Sequence, residues 1–147
     1  MPLVALTYVS TARVEWGMPD FERIRRSSER HNARMDITAL LAYATSSFLH
    51  LIEGEERAVI NVFNRIEQDP RHSEITVIDW RFTVDRFFGE WRMAVCRLGQ
   101  ADADAHPVLA PHFERGFDPY ALAARPELAH DILMVAAQRV RRACQAG

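Results

Sequence analysis

The first two thirds of the chain alternate between short apolar runs and longer amphipathic stretches. Runs of strand length, apolar or alternating as in buried and half-buried β-strands, fall at residues 3–9, 37–43, 48–52, 74–82 and 91–98. The second and third runs are joined by residues 44–47, a connection of hairpin length. The spacing therefore predicts five strands, two of which form a hairpin.

Two stretches between these runs have the spacing of amphipathic helices. The first covers residues 19–32, and its inner face becomes polar at His31-Asn32. The second carries a helical stripe made of Ala58, Val59, Val62, Phe63 and Ile66. Asp69-Pro70 ends this second helix. The order βαββαββ predicts an α+β, ferredoxin-like fold with one mixed sheet and two helices on one face.

The last third of the chain is predicted to be a helical extension that covers the other face of the sheet. One apolar segment holds Val108, Leu109 and Phe113, and a helix is predicted over residues 126–143. Residues 102–106 are expected to be a linker. We therefore divide the chain into a unit over residues 1–98 and a helical extension over residues 99–147.

Composition narrows the class of protein. A chain of 147 residues with 48% hydrophobic and 26% charged residues is typical of one soluble globular domain. The net charge of −2 gives no electrostatic reason to expect nucleic acid as a partner. No secretory signal pattern or apolar run of membrane-spanning length is present. Cys96 and Cys144 match no metal-binding spacing. We expect a cytoplasmic protein with no metal and no membrane contact.

The segment S-F-L-H-L-I-E-G, residues 47–54, places an imidazole in the middle of a buried strand. His50 can exchange a proton near neutral pH, which is an unusual property for a residue in an apolar run. Tyr8 ends the first strand, and Asn32 ends the first helix. Taken singly, each has an ordinary explanation, because a buried phenol often only satisfies its hydroxyl and an asparagine often caps a helix.

The predicted topology brings these three side chains together. The first and third strands are central neighbours in a ferredoxin-like sheet, and the slot between the two helices lies above them. A flat heteroaromatic ring in that slot would meet Tyr8, Asn32 and His50. No nucleophile–base–acid set, glycine-rich phosphate loop or metal cluster is present, so we do not expect an enzyme.

Six segments in this order and spacing resemble the BLUF family of blue-light sensors. They are L-T-Y-V-S, R-H-N-A-R, I-T-A-L-L-A-Y, F-L-H-L-I-E-G, R-I-E-Q-D-P-R-H and F-F-G-E-W-R-M, spread over residues 1–98. The resemblance implies a flavin, FAD in the family, bound between the two helices, with FMN or no flavin left open for this chain. The tail resembles the paired C-terminal helices of short family members.

The resemblance also implies roles for individual residues. Tyr8 corresponds to the tyrosine that donates an electron and a proton to the excited flavin. Trp91 and Met93, two apart on the predicted fifth strand and so on one face, correspond to positions that carry the signal outward. The flavin would be held by residues of the first helix, the third strand and the loop after the second helix, namely Ile24, Ser28, His31, Asn32, His50, Asp69, Arg71 and His72.

Two departures from the family pattern bear on activity. His50 stands where the family has a glutamine whose amide rotates or tautomerises after excitation. A neutral imidazole also offers one donor and one acceptor, but across a ring and with different reach, and it cannot become an imidic acid. Ala39 replaces a glycine, which adds a methyl group near the slot. We expect the photocycle to be altered or impaired.

Three hypotheses remain open at this point. The chain is a flavin-binding blue-light sensor with altered photochemistry, or a degenerate BLUF fold that acts as a protein-interaction module. In the third, His50 performs acid–base or flavin-dependent chemistry on a small substrate. Any output is expected to pass through an unknown protein partner or through homo-oligomerisation.

Overall fold

The computed structural model describes residues 2–146. Its first seven elements follow the order βαββαββ, which confirms the α+β, ferredoxin-like fold. They are β1 (Leu3–Ala12), α1 (Met18–Met35), β2 (Thr38–Ala44), β3 (Ser47–Glu55), α2 (Glu56–Glu67), β4 (His72–Thr83) and β5 (Ala94–Arg97).

The five strands form one mixed sheet in the order β4-β1-β3-β2-β5. All neighbours are antiparallel except β2 and β5, which are parallel. In the β1–β3 ladder, Tyr8 lies directly opposite His50. Directly paired residues on one sheet face bring their side chains into contact, so this register alone places the phenol beside the imidazole.

Side chains alternate cleanly between two apolar layers, as the pleat requires. On β3, Phe48 and Ile52 point into the layer beneath α1 and α2, whereas Leu49 and Leu51 point into the opposite layer. His50 has the parity of Phe48 and Ile52 and therefore faces the two helices. The opposite layer is filled by the C-terminal elements, so the prediction that the tail covers the second face is confirmed.

The β2–β3 hairpin turns through Thr45 and Ser46, which both have positive φ angles, 47° and 62°. Two such residues define a type I′ turn, which glycine or asparagine normally occupies. The tail binds this strained turn. The Thr45 hydroxyl donates to the carbonyl of Glu114 at 2.9 Å, and the Ser47 hydroxyl accepts the N–H of Phe117 at 2.7 Å.

The tail contains three helices, α3 (Gln100–Ala105), α4 (Pro119–Ala124) and α5 (Pro126–Ala146), with one 3₁₀ turn at Ala110–His112. The prediction of a linker over residues 102–106 was wrong. The Asp102 carboxylate accepts the N–H of Gly99 at 2.8 Å, which caps α3, and pairs with Arg139 of α5 at 2.8 Å. The prediction that the segment with Val108 and Phe113 covers the sheet was correct only in part. Phe113 is buried, whereas Val108 is exposed.

The prediction that residues 91–98 form the fifth strand placed its start too early. β5 begins at Ala94, and residues 84–93 form a loop. The buried carboxylate of Glu53 holds this loop, because it accepts the backbone N–H groups of Phe87 and Phe88 at 2.7 Å each. Among the described residues, no helix has the length and apolarity needed to cross a bilayer.

Candidate functional site

A cavity of about 210 Å³ lies between α1 and α2, above the β1–β3 pair. Side chains from α1, α2, the sheet and the loop before β4 line it. Ten residues singled out from the sequence are among them: Tyr8, Ile24, Ser28, His31, Asn32, His50, Asp69, Arg71, His72 and Met93. Ala39 also lines the cavity, so its methyl group does face the slot.

Tyr8 and His50 form the polar centre of the cavity floor. The Tyr8 hydroxyl lies 2.9 Å from Nδ1 of His50, and the two rings meet edge to face with centroids 5.3 Å apart. Burial, with a smaller effect from His72, lowers the pKa of His50 to about 3. Burial, with a smaller effect from the Asp69 charge, raises the pKa of Tyr8. Both groups are therefore neutral at physiological pH.

The second ring nitrogen of His50 is unusual. Nε2 is buried and has no hydrogen-bond partner among residues 2–146. A phenol donates a hydrogen bond readily and an imidazole nitrogen accepts one readily, so the favoured arrangement has Tyr8 donating to Nδ1. The imidazole proton then resides on Nε2. A buried donor without an acceptor costs about 1–3 kcal/mol, and a carbonyl at the edge of a bound ring would remove that cost.

Asn32 is buried at the C-terminal end of α1. Its side-chain amide donates to the carbonyl of Arg92 at 2.7 Å, and its backbone carbonyl accepts the N–H of Ile37 at 2.9 Å. The helix end is thus capped by backbone, and the Asn32 side chain is not the cap. The amide instead ties α1 to the residue next to Met93.

His72 also lines the cavity, but neighbours use both of its ring nitrogens. Nε2 lies 2.7 Å from the carbonyl of Ile66, which can only accept, so Nε2 carries a proton. Nδ1 lies 2.7 Å from the Ser10 hydroxyl. This arrangement joins the end of α2 to β1 and β4, and it leaves His72 a structural role in the cavity wall.

Asp69 and Arg71 form a two-point ion pair at the rim of the cavity. Their closest contacts are 2.9 Å from Nε to Oδ1 and 2.5 Å from Nη2 to Oδ2. The hydrogen bonds from Arg71 hold the pKa of the Asp69 carboxyl below its usual range. Asp69 leaves part of the Arg71 guanidinium available to an anion, and the Arg71 side chain is half exposed.

Trp16 and Arg65 line the same cavity and were missed from the sequence. Trp16 is 4% exposed, and its Nε1–H has no partner within the described part of the chain. Its ring packs against Phe48 with centroids 5.1 Å apart, beneath the Arg71 guanidinium. Trp16 lies in a loop before α1, where no periodic pattern marks a residue as buried.

Arg65 of α2 reaches across to α1. Its Nη1 lies 2.5 and 2.6 Å from the two ring nitrogens of His31. Burial and the nearby Arg65 charge lower the pKa of His31. No sequence pattern singles out Arg65, because an arginine on the polar side of a helical stripe usually faces solvent.

The pairing of Trp91 with Met93 on one strand face was wrong. Met93 is buried in the helix-side layer and lines the cavity. Trp91 packs against the opposite layer, stacked on Phe88 with centroids 6.2 Å apart and with the Arg141 guanidinium 5.3 Å from its ring centroid. Both residues precede β5, so the two-residue alternation of a strand does not apply to them.

Comparison with known proteins agrees with this geometry. A family model described as sensors of blue light using FAD matches residues 3–94. The photoactivated adenylate cyclase subunit beta of Euglena gracilis is 35% identical over 92 residues, which cover 62% of this chain and 11% of that protein. The blue light- and temperature-regulated antirepressor BluF of Escherichia coli (strain K12) is 30% identical over 82% of this chain and 29% of its own length.

Solved structures show the same fold. The dark-state structure of BlrB, a BLUF protein, superposes with a TM-score of 0.74 at 33% identity and covers 93% of this chain and 97% of its own. The photo-activated state of BlsA superposes with a TM-score of 0.76 at 23% identity, which supports the fold alone. The chain spans only about a tenth of the cyclase subunit. The family match over residues 3–94 shows that the chain belongs to the BLUF family of blue-light sensors that use FAD.

Proposed function

We propose that this chain is a blue-light sensor that binds the isoalloxazine ring of FAD in the cavity between α1 and α2. The observation that carries the proposal is the Tyr8–His50 pair, in which the buried Nε2 of His50 has no hydrogen-bond partner within residues 2–146. A flavin offers carbonyl and ring-nitrogen acceptors along one edge, and one of these would accept a hydrogen bond from the Nε2–H of His50. When bound, the flavin supplies light absorption and one-electron chemistry.

The remaining cavity residues fit the rest of such a ligand. Ile24 and Met93 would present apolar surface to a flat ring, and Asn32, which also lines the cavity, would lie at the edge of that ring. Arg71 at the rim suits a phosphate, because a guanidinium recognises phosphate with two parallel hydrogen bonds. FMN carries the same ring and first phosphate, so it is the alternative ligand.

We propose that the photocycle is altered because His50 replaces an amide. An amide can exchange the positions of its donor and acceptor by rotating, and the imidazole of His50 has no amide to rotate. Burial also disfavours the protonated, charged form of this imidazole. A proton that moves from Tyr8 to Nδ1 would therefore be matched by donation of the Nε2 proton to an acceptor atom of the bound ligand, which leaves the imidazole neutral with its proton on Nδ1. His50 can relay a proton by this route, but burial disfavours a His50 ring that carries two protons.

A second candidate function is a protein-interaction module that has lost its response to light. The features that favour it are His50 itself, the Ala39 methyl group in the cavity wall and the Arg65–His31 contact between the two helices. In either case we propose a non-enzymatic, cytoplasmic protein that acts through a protein partner or another copy of itself. We also propose that residues 1–98 form the sensor unit and residues 99–147 its extension.

Reconstitution separates the two candidates. The purified protein is mixed with FAD, freed of unbound flavin and illuminated with blue light. The sensor candidate predicts a yellow protein whose flavin spectrum responds to light differently from the usual small red shift. A protein that takes up neither FAD nor FMN refutes it.

His50→Gln restores the family residue and provides the second arm of the experiment. If His50 alone alters the photocycle, this variant shows a light-induced red shift that decays in the dark. A flavin-loaded His50→Gln protein without a red shift refutes that explanation. The matched control is His112→Gln, which changes a histidine of the C-terminal tail that does not line the cavity.

A further inference from the structure

In the described part of the chain, the outer edge of β4 has no strand partner. β4 is twelve residues long and lies at the end of the sheet, with β1 on one side and no strand on the other among residues 2–146. The backbone groups on such an edge are a template for a further strand, and natural proteins usually protect them with charges, bulges or a covering element.

Apolar side chains are exposed along this edge. Trp80 is 38% exposed and Phe82 is 60% exposed, whereas their partners on β1, Leu6 and Val4, are 1% and 0% exposed. All four lie on the helix side of the sheet, so the cover provided by the helices ends between β1 and β4. Val77 continues the stripe and is 45% exposed. A neighbouring aromatic and aliphatic stripe beside a free edge is typical of a contact surface.

Beside Trp80, the opposite face of β4 carries one charge of each sign. Asp79 and Arg81 are two residues apart and form an ion pair at 2.6 Å, with both side chains partly exposed. Their partners on β1 are Thr7 and Ala5, which show that Asp79 and Arg81 share the face opposite to Trp80.

Among the symmetric registers centred on residues 79–81, this charge pattern favours one. In an antiparallel pair of identical strands, paired residues must lie on the same face, so the two-fold axis passes through a residue position. An axis at Asp79 or at Arg81 puts like charges opposite each other, which is unfavourable. An axis at Trp80 puts Asp79 of each copy opposite Arg81 of the other copy. It also places the two Trp80 side chains together.

We propose that β4 is a self-association surface, through which two copies of this chain pair antiparallel about Trp80 to form one continuous sheet. Phe82 then lies diagonal to the partner's Trp80, within the reach of aromatic side chains. The occupant is a second copy because the Asp79–Arg81 pattern complements itself. The bulge in the β1–β4 ladder near Ile78 confines the new ladder to a short stretch. A short ladder predicts an association that depends on protein concentration.

Sedimentation velocity over a wide range of protein concentrations tests the proposal on the full chain. The wild type is expected to shift from 16.9 kDa towards twice that mass. Asp79→Arg or Arg81→Asp alone sets like charges opposite each other and should raise the dissociation constant at least about tenfold. The double exchange, Asp79→Arg with Arg81→Asp, restores the complementary pattern and should restore association. Glu127→Arg is the matched control, because Glu127 pairs with Arg125 in an exposed ion pair of the same spacing.

Three outcomes would overturn the proposal. These are a wild type that stays monomeric at the highest concentration, single variants that associate as strongly as the wild type, and a double exchange that fails to associate while remaining folded by circular dichroism. Amide hydrogen exchange of the wild type at low and high concentration is independent of any variant. It should show added protection of β4 amides at high concentration, and unchanged β4 exchange in a dimer places the interface elsewhere.

Discussion

The burial of His50 should make the flavin-free protein lose stability in acid. The folded state holds this imidazole neutral, with a pKa lowered to about 3 by burial, whereas an exposed histidine has a pKa of 6.5. Between these two values the unfolded chain binds a proton that the folded chain does not. The free energy of unfolding therefore falls as the pH falls from about 6.5 towards 3, and it is insensitive to this group at higher pH.

The size of the effect follows from the two pKa values. At about pH 5 the unfolded histidine is almost fully protonated and the folded one is not, which lowers the free energy of unfolding by about 2 kcal/mol relative to about pH 8. His50→Gln removes the titrating group while keeping a neutral side chain with a donor and an acceptor. Its free energy of unfolding should lack this part of the pH dependence.

Urea unfolding of the flavin-free wild type and of flavin-free His50→Gln, at about pH 8 and about pH 5, measures how much stability each protein loses on acidification. The other titrating groups, including His31 with its lowered pKa, are present in both proteins and cancel in the comparison. An equal loss of stability on acidification in wild type and His50→Gln would refute the neutral, desolvated His50 on which the site geometry depends.

Three further substitutions test other contacts. Glu53→Gln should lower the free energy of unfolding in urea by about 1–3 kcal/mol, because the Glu53 carboxylate accepts two buried N–H groups, those of Phe87 and Phe88; an unchanged urea midpoint contradicts this. Ala39→Gly should tighten FAD binding by calorimetry, while a glycine within a strand lowers stability by about 0.5–1 kcal/mol; unchanged or weaker affinity contradicts steric restriction by the methyl group. Arg71→Ala should weaken FMN at least about tenfold and leave riboflavin, which lacks the phosphate, nearly unchanged; equal losses for both ligands would rule out a phosphate contact.

The sheet was predictable because its signals are local and repeated. Short continuous apolar runs marked β1, β2 and β3, which are buried on both faces, and the stripe from Ala58 to Ile66 marked the buried face of α2. The pairing of Tyr8 with His50 followed from topology, since β1 and β3 must be neighbours in this fold. Most of the cavity residues lie on these regular elements.

The errors lie where no period applies. Trp91 and Met93 fall in the loop held by Glu53. Trp16 is buried in a loop where the distant residues Phe48 and Arg71 pack on its ring. α3 escaped detection because the cap formed by Asp102 and the ion pair with Arg139 stabilise it more than its own apolar pattern does. Such residues are positioned by tertiary contacts, which local sequence does not record.

The most direct test of the site is nitrogen-15 NMR of the histidine side chains, recorded at neutral pH before and after addition of FAD. The chain has six histidines, and the signals of His50 are identified as the ones that are missing from the spectrum of His50→Gln. We predict a neutral ring with its proton on Nε2 in the free protein and a marked change in the Nε2 resonance when FAD is added. A His50 ring that is protonated at neutral pH, or an Nε2 resonance that does not move with excess FAD, would contradict the placement of the flavin against this histidine.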